Sequence, residues 1–351
     1  MSEFAINGRA IGPGRPVYVI AEVSANHDQS YETALAILRG AAEAGADAIK
    51  LQTYTPDTIT IRSDAPPFRH APGSLWEGTT LHDLYQGAHM PWDWQPGLFD
   101  AARELGVDAF SSPFDPTAVE FLVGLNVPAF KVASFELVDL PLIRQIARTG
   151  RPMIVSTGMA TEAEVDEAVT TAREAGATQL ALLKCTSAYP SPPESVNLRT
   201  IPWMVERWGV PVGLSDHTVG LVAPVVAVSL GACIVEKHVT LSHDNATPDG
   251  AFSLDLDEFR QMVDAIRTAE AVLGGVHLAP QEDEEDSRRF RRSLFVVEDV
   301  RTGDPLTAAN VRSIRPAAGL HTREYERVLG RRAATDIKRG TPLSWDLIAD
   351  E

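Results

Sequence analysis

Cysteine, cationic side chains and long apolar runs are all scarce in this chain of 351 residues. Its 31 lysine and arginine residues face 48 aspartate and glutamate residues, so the formal net charge is −17. A protein that binds nucleic acid needs a positive surface, and this balance therefore argues against a nucleic-acid partner. No apolar run approaches the ~20 residues that a membrane span requires, and MSEFAINGRA at the start lacks the apolar core of a signal peptide. We therefore expect a soluble, cytoplasmic protein with no membrane partner.

The two cysteines also favour a reducing, cytoplasmic compartment. Cys185 lies in LALLKCT and Cys233 lies in GACIVEKH, and both segments are apolar. We expect each to be a buried strand residue rather than half of a disulfide, as is usual in a reducing compartment.

The acidity is unevenly distributed along the chain. Residues 287–351 contain 13 lysines and arginines against 9 acids, a net charge of +4, whereas the first 286 residues contain 18 against 39, a net charge of −21. The change falls beside an acidic run at 282–286, which by itself is typical of a solvated linker with salt-bridged flanks. The pattern predicts a domain over 1–280, a linker over 281–290 and a second domain over 291–351.

Short apolar runs alternate with amphipathic segments through the first domain. Their length and β-branched content are typical of parallel strands that are buried on both faces. The eight runs are VYVIAEV (17–23), AIKLQT (48–53), VDAFSSPF (107–114), AFKVASFE (129–136), PMIVSTG (152–158), LALLKCT (180–186), PVGLSDHT (211–218) and ACIVEKHVT (232–240). Six helical patterns lie between them, over 31–45, 94–106, 116–126, 140–150, 161–176 and 218–231, and Thr161 with Glu164 predicts a capping box. The alternation predicts an α/β fold, a (β/α)8 TIM barrel. A doubly wound sheet is the alternative, but no G-x-G-x-x-G follows the first strand.

Two further segments stand apart from this rhythm. Residues 56–90 form a long insertion after the second strand, and loops of that length are usually lids or interface segments. After Pro280, the runs SLFVVEDV, NVRSIRP and GTPLSWDLI predict short strands and turns, and HTREYERVLG predicts a helix. This β-rich tail of about 60 residues is small for an independent core, so we expect it to dock on another surface.

Polar residues end all eight predicted strands, among them Lys184, Asp216 and Lys237. Because the carboxyl ends of barrel strands open on one face, they predict a dense polar site at the barrel mouth. His217 ends the seventh strand and His238 the eighth, and adjacent strands lie about 4.8 Å apart. Their imidazoles could converge on one divalent ion with open coordination positions; two hydrogen-bonded supporting histidines are the alternative.

Lysines and serines make a second group at the mouth. Lys50 and Lys131 lie within buried strands, where each ammonium must meet an anion. Internal salt bridges to Glu22 or Glu136 would satisfy them, as would a bound substrate that carries carboxylate and phosphate. The hydroxyls that would complete such a cage belong to Ser112, Ser134, Ser156, Ser187 and Ser215.

Three acids form the third group. Glu22, Glu136 and Asp249 fall beside the lysines and histidines, which could tune their pKa values for general acid or base catalysis. Taken singly, each acid could instead orient a neighbour by a hydrogen bond.

Eight motifs together resemble the sialic acid synthase family, in order and across nearly the whole barrel. They are AEVSANHD (21–28), IKLQT (49–53), SSPFD (111–115), FKVASFE (130–136), STGM (156–159), CTSAYP (185–190), GLSDHT (213–218) and EKHVT (236–240). The tail is similar to the antifreeze-like (SAF) domain that these synthases carry at the C-terminus. The resemblance implies a cell-surface glycan enzyme that condenses phosphoenolpyruvate with an amino-sugar aldehyde and releases phosphate by C–O cleavage.

The resemblance also implies roles for individual residues. His217 and His238 match the metal ligands, normally of manganese, although magnesium or cobalt would suit two imidazoles and water as well. The positions that match the phosphoenolpyruvate site are Lys50, Ser112, Lys131, Ser134, Ser156, Ser187 and Ser215. Glu22, Tyr189 and Asp249 match residues near the sugar and the metal, and Glu136 matches the acid assigned to proton transfer.

The tail carries one further implied site residue. Arg315 matches an arginine that the antifreeze-like domain inserts into the partner subunit's site, which implies a domain-swapped homodimer. The chain departs from the family's glycine-rich turn here, because it has RPAAG over 315–319. Alanine adopts fewer backbone conformations than glycine, so this turn need not present Arg315 in the same way.

Several stretches favour one branch of the family, whose sugar is 2,4-diacetamido-2,4,6-trideoxy-L-altrose. They are AHMPWDW (88–94), PDGAFSL (248–254), RRSLFVVEDV (291–300), NVRSIRP (310–316) and GTPLSWDLI (340–348). Position 187 is serine, where asparagine is usual in the N-acetylneuraminate branch. The alternatives are a synthase for N-acetylneuraminate or legionaminate, a spore-coat polysaccharide homologue, or a non-catalytic carbohydrate-binding protein.

Overall fold

A computed structural model describes residues 4–70, 77–244 and 247–350. The chain divides into two compact units, Met1–Gly274 and Gly275–Glu351. Each unit has its own hydrophobic core, and each is described by itself.

The first unit is a closed barrel of eight parallel strands. A short antiparallel hairpin, β1 (Ala5–Ile6) and β2 (Arg9–Ala10), precedes it. The barrel strands are β3 (Tyr18–Glu22), β4 (Ala48–Thr53), β5 (Asp108–Pro113), β6 (Phe130–Val132), β7 (Met153–Ser156), β8 (Leu180–Cys185), β9 (Val212–Asp216) and β10 (Ile234–His238). They pair in chain order, and β10 closes on β3. The prediction of a TIM barrel is therefore confirmed, and each of the eight apolar runs contains one of these strands.

Helices cover the outside of the barrel. In the first unit they are α1 (Tyr31–Glu43), α2 (Pro56–Ile59), α3 (Leu81–Ala88), α4 (Gln95–Leu105), α5 (Pro116–Gly124), α6 (Leu140–Arg148), α7 (Glu162–Glu174), α8 (Thr200–Trp208), α9 (Val222–Ser229) and α10 (Leu256–Leu273). The predicted capping box at α7 is present, because Thr161 and Glu164 exchange hydrogen bonds. The sequence patterns did not single out α8, whose nine residues include two tryptophans and a proline, or the amphipathic α10.

Burial on both faces explains why the strands read as apolar runs. Every residue of β3 and β9 is buried, since one face lines the barrel and the other meets the helices. Cys185 and Cys233 are buried and free, which confirms the prediction that neither forms a disulfide.

The insertion over 56–90 carries structure of its own. It contains α2 and α3, separated by a short 3-10 turn at Pro66–Phe68. Residues 71–76 of the insertion lie outside the described part of the chain.

The second unit is built around one antiparallel pair, β11 (Ser293–Val296) and β12 (Val311–Ile314). Two four-residue helices accompany it, α11 (Glu285–Arg288) and α12 (Tyr325–Val328). The run GTPLSWDLI, for which we expected a strand or turn, forms an isolated bridge between Phe295 and Pro342 and a 3-10 turn at Trp345–Leu347. Over residues 4–70, 77–244 and 247–350, no helix is long and apolar enough to cross a membrane.

Candidate functional site

A cavity of about 640 Å3 opens at the carboxyl ends of the barrel strands. Parallel register brings these ends together: His238 lies opposite Glu22, and Ser215 lies opposite Glu236. The predicted site residues that line this cavity are Lys50, Lys131, Ser134, Glu136, Ser156, Ser187, Tyr189, Ser215, His217, His238 and Asp249. Three predicted residues lie elsewhere. Glu22 and Ser112 are buried behind Lys50, and Arg315 is an exposed residue of the second unit, directly after β12.

Two lysines and two glutamates form a buried ion cluster at the floor of the cavity. Lys50 Nζ lies 2.8 Å from Glu22 Oε2 and 3.2 Å from Glu236 Oε1, and Lys131 Nζ lies 3.8 Å from the same Glu236 oxygen. Lys131 also donates to Ser156 Oγ at 2.7 Å. Lys50 thus makes the predicted internal salt bridge to Glu22, whereas Lys131 lies near Glu236 rather than Glu22 or Glu136. Both lysines also line the cavity.

The charges of this cluster are set by burial and by mutual attraction. Burial raises the pKa of Glu22 to about 7, against the pull of Lys50. Burial also disfavours the Glu236 carboxylate, but Lys131 and Lys50 outweigh it and lower the pKa of Glu236. Similarly, Glu22 and Glu236 overcome the burial of Lys50 and raise its pKa. Burial lowers the pKa of Lys131, against the pull of Glu236. When both lysines are protonated, a proton taken up by Glu22 leaves the cluster with a net positive charge, which suits a multiply charged anion.

A glycine lets two of the predicted serines approach each other. Gly158 N donates to Ser134 Oγ at 3.0 Å. A Cβ added at Gly158 would overlap the hydroxyl oxygens of both Ser134 and Ser187. The absence of a side chain at 158 thus gathers hydroxyl donors on the wall of the cavity.

The two predicted histidines are neighbours at the mouth. Their ring centroids lie 5.4 Å apart, with Tyr189 4.5 Å from His217 and Phe252 5.0 Å from His238. His217 Nδ1 lies 3.0 Å from Thr186 O; it must donate there, and this leaves Nε2 to accept or to ligate.

His238 has the properties of a metal ligand. Its Nδ1 is buried and has no hydrogen-bond partner among the described residues, and Asp249 Oδ2 lies 3.8 Å away. Burial, with the nearby His217 and Lys50, holds the pKa of His238 well below its usual range, so its imidazole is neutral. The imidazole nitrogens of His217 and His238 beside the Asp249 carboxylate are a donor set that fits a divalent ion such as manganese, with room for substrate or water.

Outside the cavity, potential metal ligands of three residues lie close together: His243, Asp255 and Glu258. These side chains are partly exposed, and Asp255 and Glu258 form the capping box of α10. Helix capping accounts for the two acids, so the cluster does not define a metal centre.

Two acids have surroundings that suit proton transfer. Burial raises the pKa of Glu136 to about 7, and its Oε2 has no partner among the described residues. Burial also raises the pKa of Asp249, which accepts a hydrogen bond from Ser24 Oγ. Glu136 and Glu236 each line the cavity and keep a buried oxygen without a hydrogen-bond partner among the described residues, but Glu236 is paired with Lys50 and Lys131.

The sequence did not identify Glu236 and Cys185 as residues that line the cavity. It also placed Lys184, Asp216 and Lys237 among the polar residues of the mouth, although they do not line the cavity. Lys237 and Asp216 pair with each other at 2.6 Å, and neither lines the cavity. Strand alternation could have separated them, because Glu236 and His238 share one face of β10 and Lys237 lies on the other. Lys184 is likewise off the cavity and donates to Cys185 O.

The chain matches the NeuB family over residues 37–277 and the SAF domain over 291–349. It is 44% identical to the pseudaminic acid synthase of Helicobacter pylori, over 95% of this chain and 98% of that protein. It is 45% identical to the pseudaminic acid synthase of Campylobacter jejuni serotype O:2, over 94% and 96%. Among solved structures, the spore coat polysaccharide biosynthesis protein of Bacillus subtilis superposes over 100% of both chains, with a TM-score of 0.67 and 34% identity.

Proposed function

We propose that this chain, which belongs to the NeuB family and is a nonulosonate synthase, makes pseudaminic acid from phosphoenolpyruvate and 2,4-diacetamido-2,4,6-trideoxy-L-altrose. The observation that carries the proposal is the juxtaposition of the lysine–glutamate cluster with the two histidines in one cavity. The cluster offers cations for a substrate with carboxylate and phosphate, and the histidines offer ligands beside it. The identities of 44% and 45% with pseudaminic acid synthases support the sugar.

Lys50, Lys131 and the serines hold phosphoenolpyruvate in this proposal. Lys131 and Ser156 are already hydrogen-bonded, and Ser134 and Ser187 are packed against Gly158, so these donors need little rearrangement. Ser215 contacts Glu236, and Ser112 contacts Lys50 from below. Ser112 and Glu22 therefore position Lys50, while the remaining groups contact the substrate.

The reaction forms one C–C bond and breaks one C–O bond. C3 of phosphoenolpyruvate attacks the sugar aldehyde, and the aldehyde oxygen gains a proton. Water adds at C2 and gives one proton to Glu136, which returns it to the aldehyde oxygen. The hydroxyl left at C2 loses its second proton to phosphate as phosphate departs with the bridging oxygen, and C2 becomes a ketone. Glu136 is preferred over Glu22 as the base because Glu136 lines the cavity, whereas Glu22 is 0% exposed and paired with Lys50.

His217 and His238 would hold a divalent metal, manganese by the resemblance and magnesium or cobalt by the same donor set. Such an ion would supply Lewis-acid polarisation of the aldehyde oxygen. Asp249 and Tyr189 flank the histidines, and we assign them to the sugar side of the site.

We also propose that the enzyme is a domain-swapped homodimer in which Arg315 reaches the partner's site. Arg315 is exposed, which leaves it free to make such a contact. The turn after it is well fixed despite its two alanines, because the backbone amides of Ala318 and Gly319 donate to Ser293 Oγ. An added Cβ at Gly319 would overlap Leu294 O, so glycine is required at this one position of the turn.

A panel of sugars tests the substrate. The purified protein with phosphoenolpyruvate and manganese is offered the altrose derivative, the legionaminate precursor and N-acetylmannosamine, and phosphate is measured. We expect the altrose derivative to give the highest kcat/KM. A higher value for another sugar would identify this enzyme as a different branch of the family. No phosphate with any of them would favour the non-catalytic carbohydrate-binding alternative.

A further inference from the structure

The catalytic cavity has two unlike halves. Its floor consists of the ion cluster, the serines and the histidines. Besides His70 and Ala88, the insertion over 56–90 contributes the side chains of Ile59, Leu81, Leu84 and Tyr85 to its lining. We name these four residues the insertion wall.

Three residues of the insertion wall, Leu81, Leu84 and Tyr85, lie on helix α3, and the fourth, Ile59, ends helix α2. Leu81, Leu84, Tyr85 and Ala88 recur at spacings of three and four residues along α3, so they share one side of it. All four line the cavity. The three larger side chains are half-buried and do not belong to the barrel core, so the apolar surface that they retain faces the cavity.

Contacts outside the cavity hold the wall in place. The Gln29 side-chain amide donates to Gly87 O at 2.9 Å and to His89 O at 2.7 Å, which caps the C-terminal end of α3. His82, which flanks this face of the helix, is buried with its Nε2 3.0 Å from Asp57 Oδ1 of α2. The insertion wall is therefore a fixed surface of the site.

The wall also stands close to the proposed base. Tyr85 and Glu136 line the same cavity, and burial together with the Glu136 carboxylate raises the pKa of the Tyr85 phenol. A sugar whose aldehyde reacts near Glu136 thus has its remaining carbons within reach of the wall.

We propose that the insertion wall selects a 6-deoxy sugar, by contact with the C6 methyl group and against a hydroxyl at C6. This rests on the proposed function, whose sugar carries a methyl group at that carbon. A methyl group gains from burial against Leu81 and Leu84, whereas a hydroxyl against the same two leucine side chains gives up water without gaining a hydrogen bond from them. An apolar pocket typically discriminates between such substrates by about ten- to a hundredfold in kcat/KM. The wall is indifferent to ring configuration, so it distinguishes deoxy sugars from hydroxylated ones only.

The test compares two sugars that differ only at C6. The holoenzyme with manganese and phosphoenolpyruvate receives 2,4-diacetamido-2,4,6-trideoxy-L-altrose or its 6-hydroxy counterpart, and phosphate release gives each kcat/KM. We expect the wild type to favour the deoxy sugar by about ten- to a hundredfold. A wild-type ratio near one would mean that the hydroxyl finds a partner, such as Tyr85 or His70, and would overturn the inference.

Leu84→Asn should reduce the ratio of kcat/KM for the deoxy sugar to kcat/KM for the 6-hydroxy sugar at least fivefold, mainly by raising the KM of the deoxy sugar. The KM of phosphoenolpyruvate should change less than twofold. Leu84→Met, which keeps the side chain apolar, should retain the ratio. Leu105→Asn at the exposed end of α4 is the matched control and should behave as the wild type. Leu81→Asn repeats the test should Leu84→Asn fail to fold.

If folded Leu84→Asn and Leu81→Asn keep the wild-type ratio of kcat/KM values and still release phosphate, the inference is overturned but the proposed function is not. Absence of phosphate release by the wild type with both sugars would overturn the proposed function, and the inference with it.

Discussion

Glu136 is the residue whose environment most directly predicts a pH dependence. A base must be ionised, and burial raises the pKa of Glu136 to about 7. Activity should therefore be low below this pKa and rise as the pH passes through about 7. Glu136→Gln should lower kcat by about a hundredfold or more, since general base catalysis typically contributes 10²–10⁴. The pH profile of kcat from pH 5 to 9 checks both statements.

The pH profile of Glu136→Gln distinguishes Glu136 from Glu22 as the base. This is needed because burial also raises the pKa of Glu22 to about 7. If Glu136 is the base, the residual activity of Glu136→Gln loses the rising limb. A limb that persists unchanged in Glu136→Gln would assign the base to another group.

The histidines predict a metal requirement. His217→Ala and His238→Ala should each abolish phosphate release while the protein remains folded, because each removes a ligand but little core volume. Circular dichroism and manganese binding by calorimetry provide the control. Full activity in metal-stripped buffer with chelator would contradict the metal role.

The sequence predicted which kinds of residue form the site better than it predicted which strand positions point into the cavity. Polar residues at every strand end indicated a site, and His217, His238, Lys50 and Lys131 all line the cavity. Glu236, which joins both lysines, was missed because the sequence alone does not show which alternate positions face inward. A single confirmed inward residue in β10, His238, would have sufficed to include Glu236.

At the scale of elements, the eight strands were predictable because each is buried on both faces. The structure of the insertion was less predictable than the strands. Its length indicated a functional segment, but helix α3 presents apolar residues to a cavity rather than to the core. Hydrophobic periodicity identifies an apolar face without showing what covers it. For the same reason GTPLSWDLI suggested a strand or turn where the structure has a bridge and a 3-10 turn.

The pair of Asp216 and Lys237 joins strands β9 and β10 and provides a test of barrel stability. Both side chains are buried, at 1% and 0% exposure, and their charged atoms are 2.6 Å apart. Lys237→Met should cost about 3–5 kcal/mol in the free energy of unfolding, because Asp216 keeps its charge without its partner. Urea unfolding measures the loss.

A surface pair in the second unit offers the matched control. Lys338 and Asp299 are 2.9 Å apart, but their side chains are 82% and 59% exposed. Lys338→Met should change stability by less than about 1 kcal/mol. Equal losses in the two variants would show that burial of the first pair does not matter. Adding Asp216→Asn to Lys237→Met should recover part of the loss.

At the scale of the whole molecule, the charge asymmetry now has a structural counterpart. The sequence changes sign near residue 286, and the compact units divide at Gly274. An acidic first unit that takes an anionic substrate needs local positive charge, and the ion cluster supplies it. Residues 287–351, whose net charge is +4, are suited to dock on an acidic surface, which is what the proposed swap requires.

Mixing two inactive variants tests the swap. His238→Ala removes the metal site of its own barrel, and Arg315→Ala removes the arginine that would serve the partner. When the two chains are co-expressed, about half of the dimers are mixed, and each mixed dimer should hold one intact site if Arg315 acts across the interface. Activity should then recover to about a quarter of the wild-type value. Activity no higher than that of the two variants kept apart would place Arg315 in its own subunit's site, and full activity of Arg315→Ala alone would place it outside the reaction.

The most direct test of the account follows the bridging oxygen of phosphoenolpyruvate. The enzyme is supplied with phosphoenolpyruvate labelled with heavy oxygen between C2 and phosphorus, together with the altrose derivative and manganese, and both products are analysed by mass spectrometry. Condensation with C–O cleavage predicts that the label leaves in the phosphate, while the new nine-carbon acid takes its C2 oxygen from water. Label retained in the acid, or no acid formed at all, would contradict the proposed reaction.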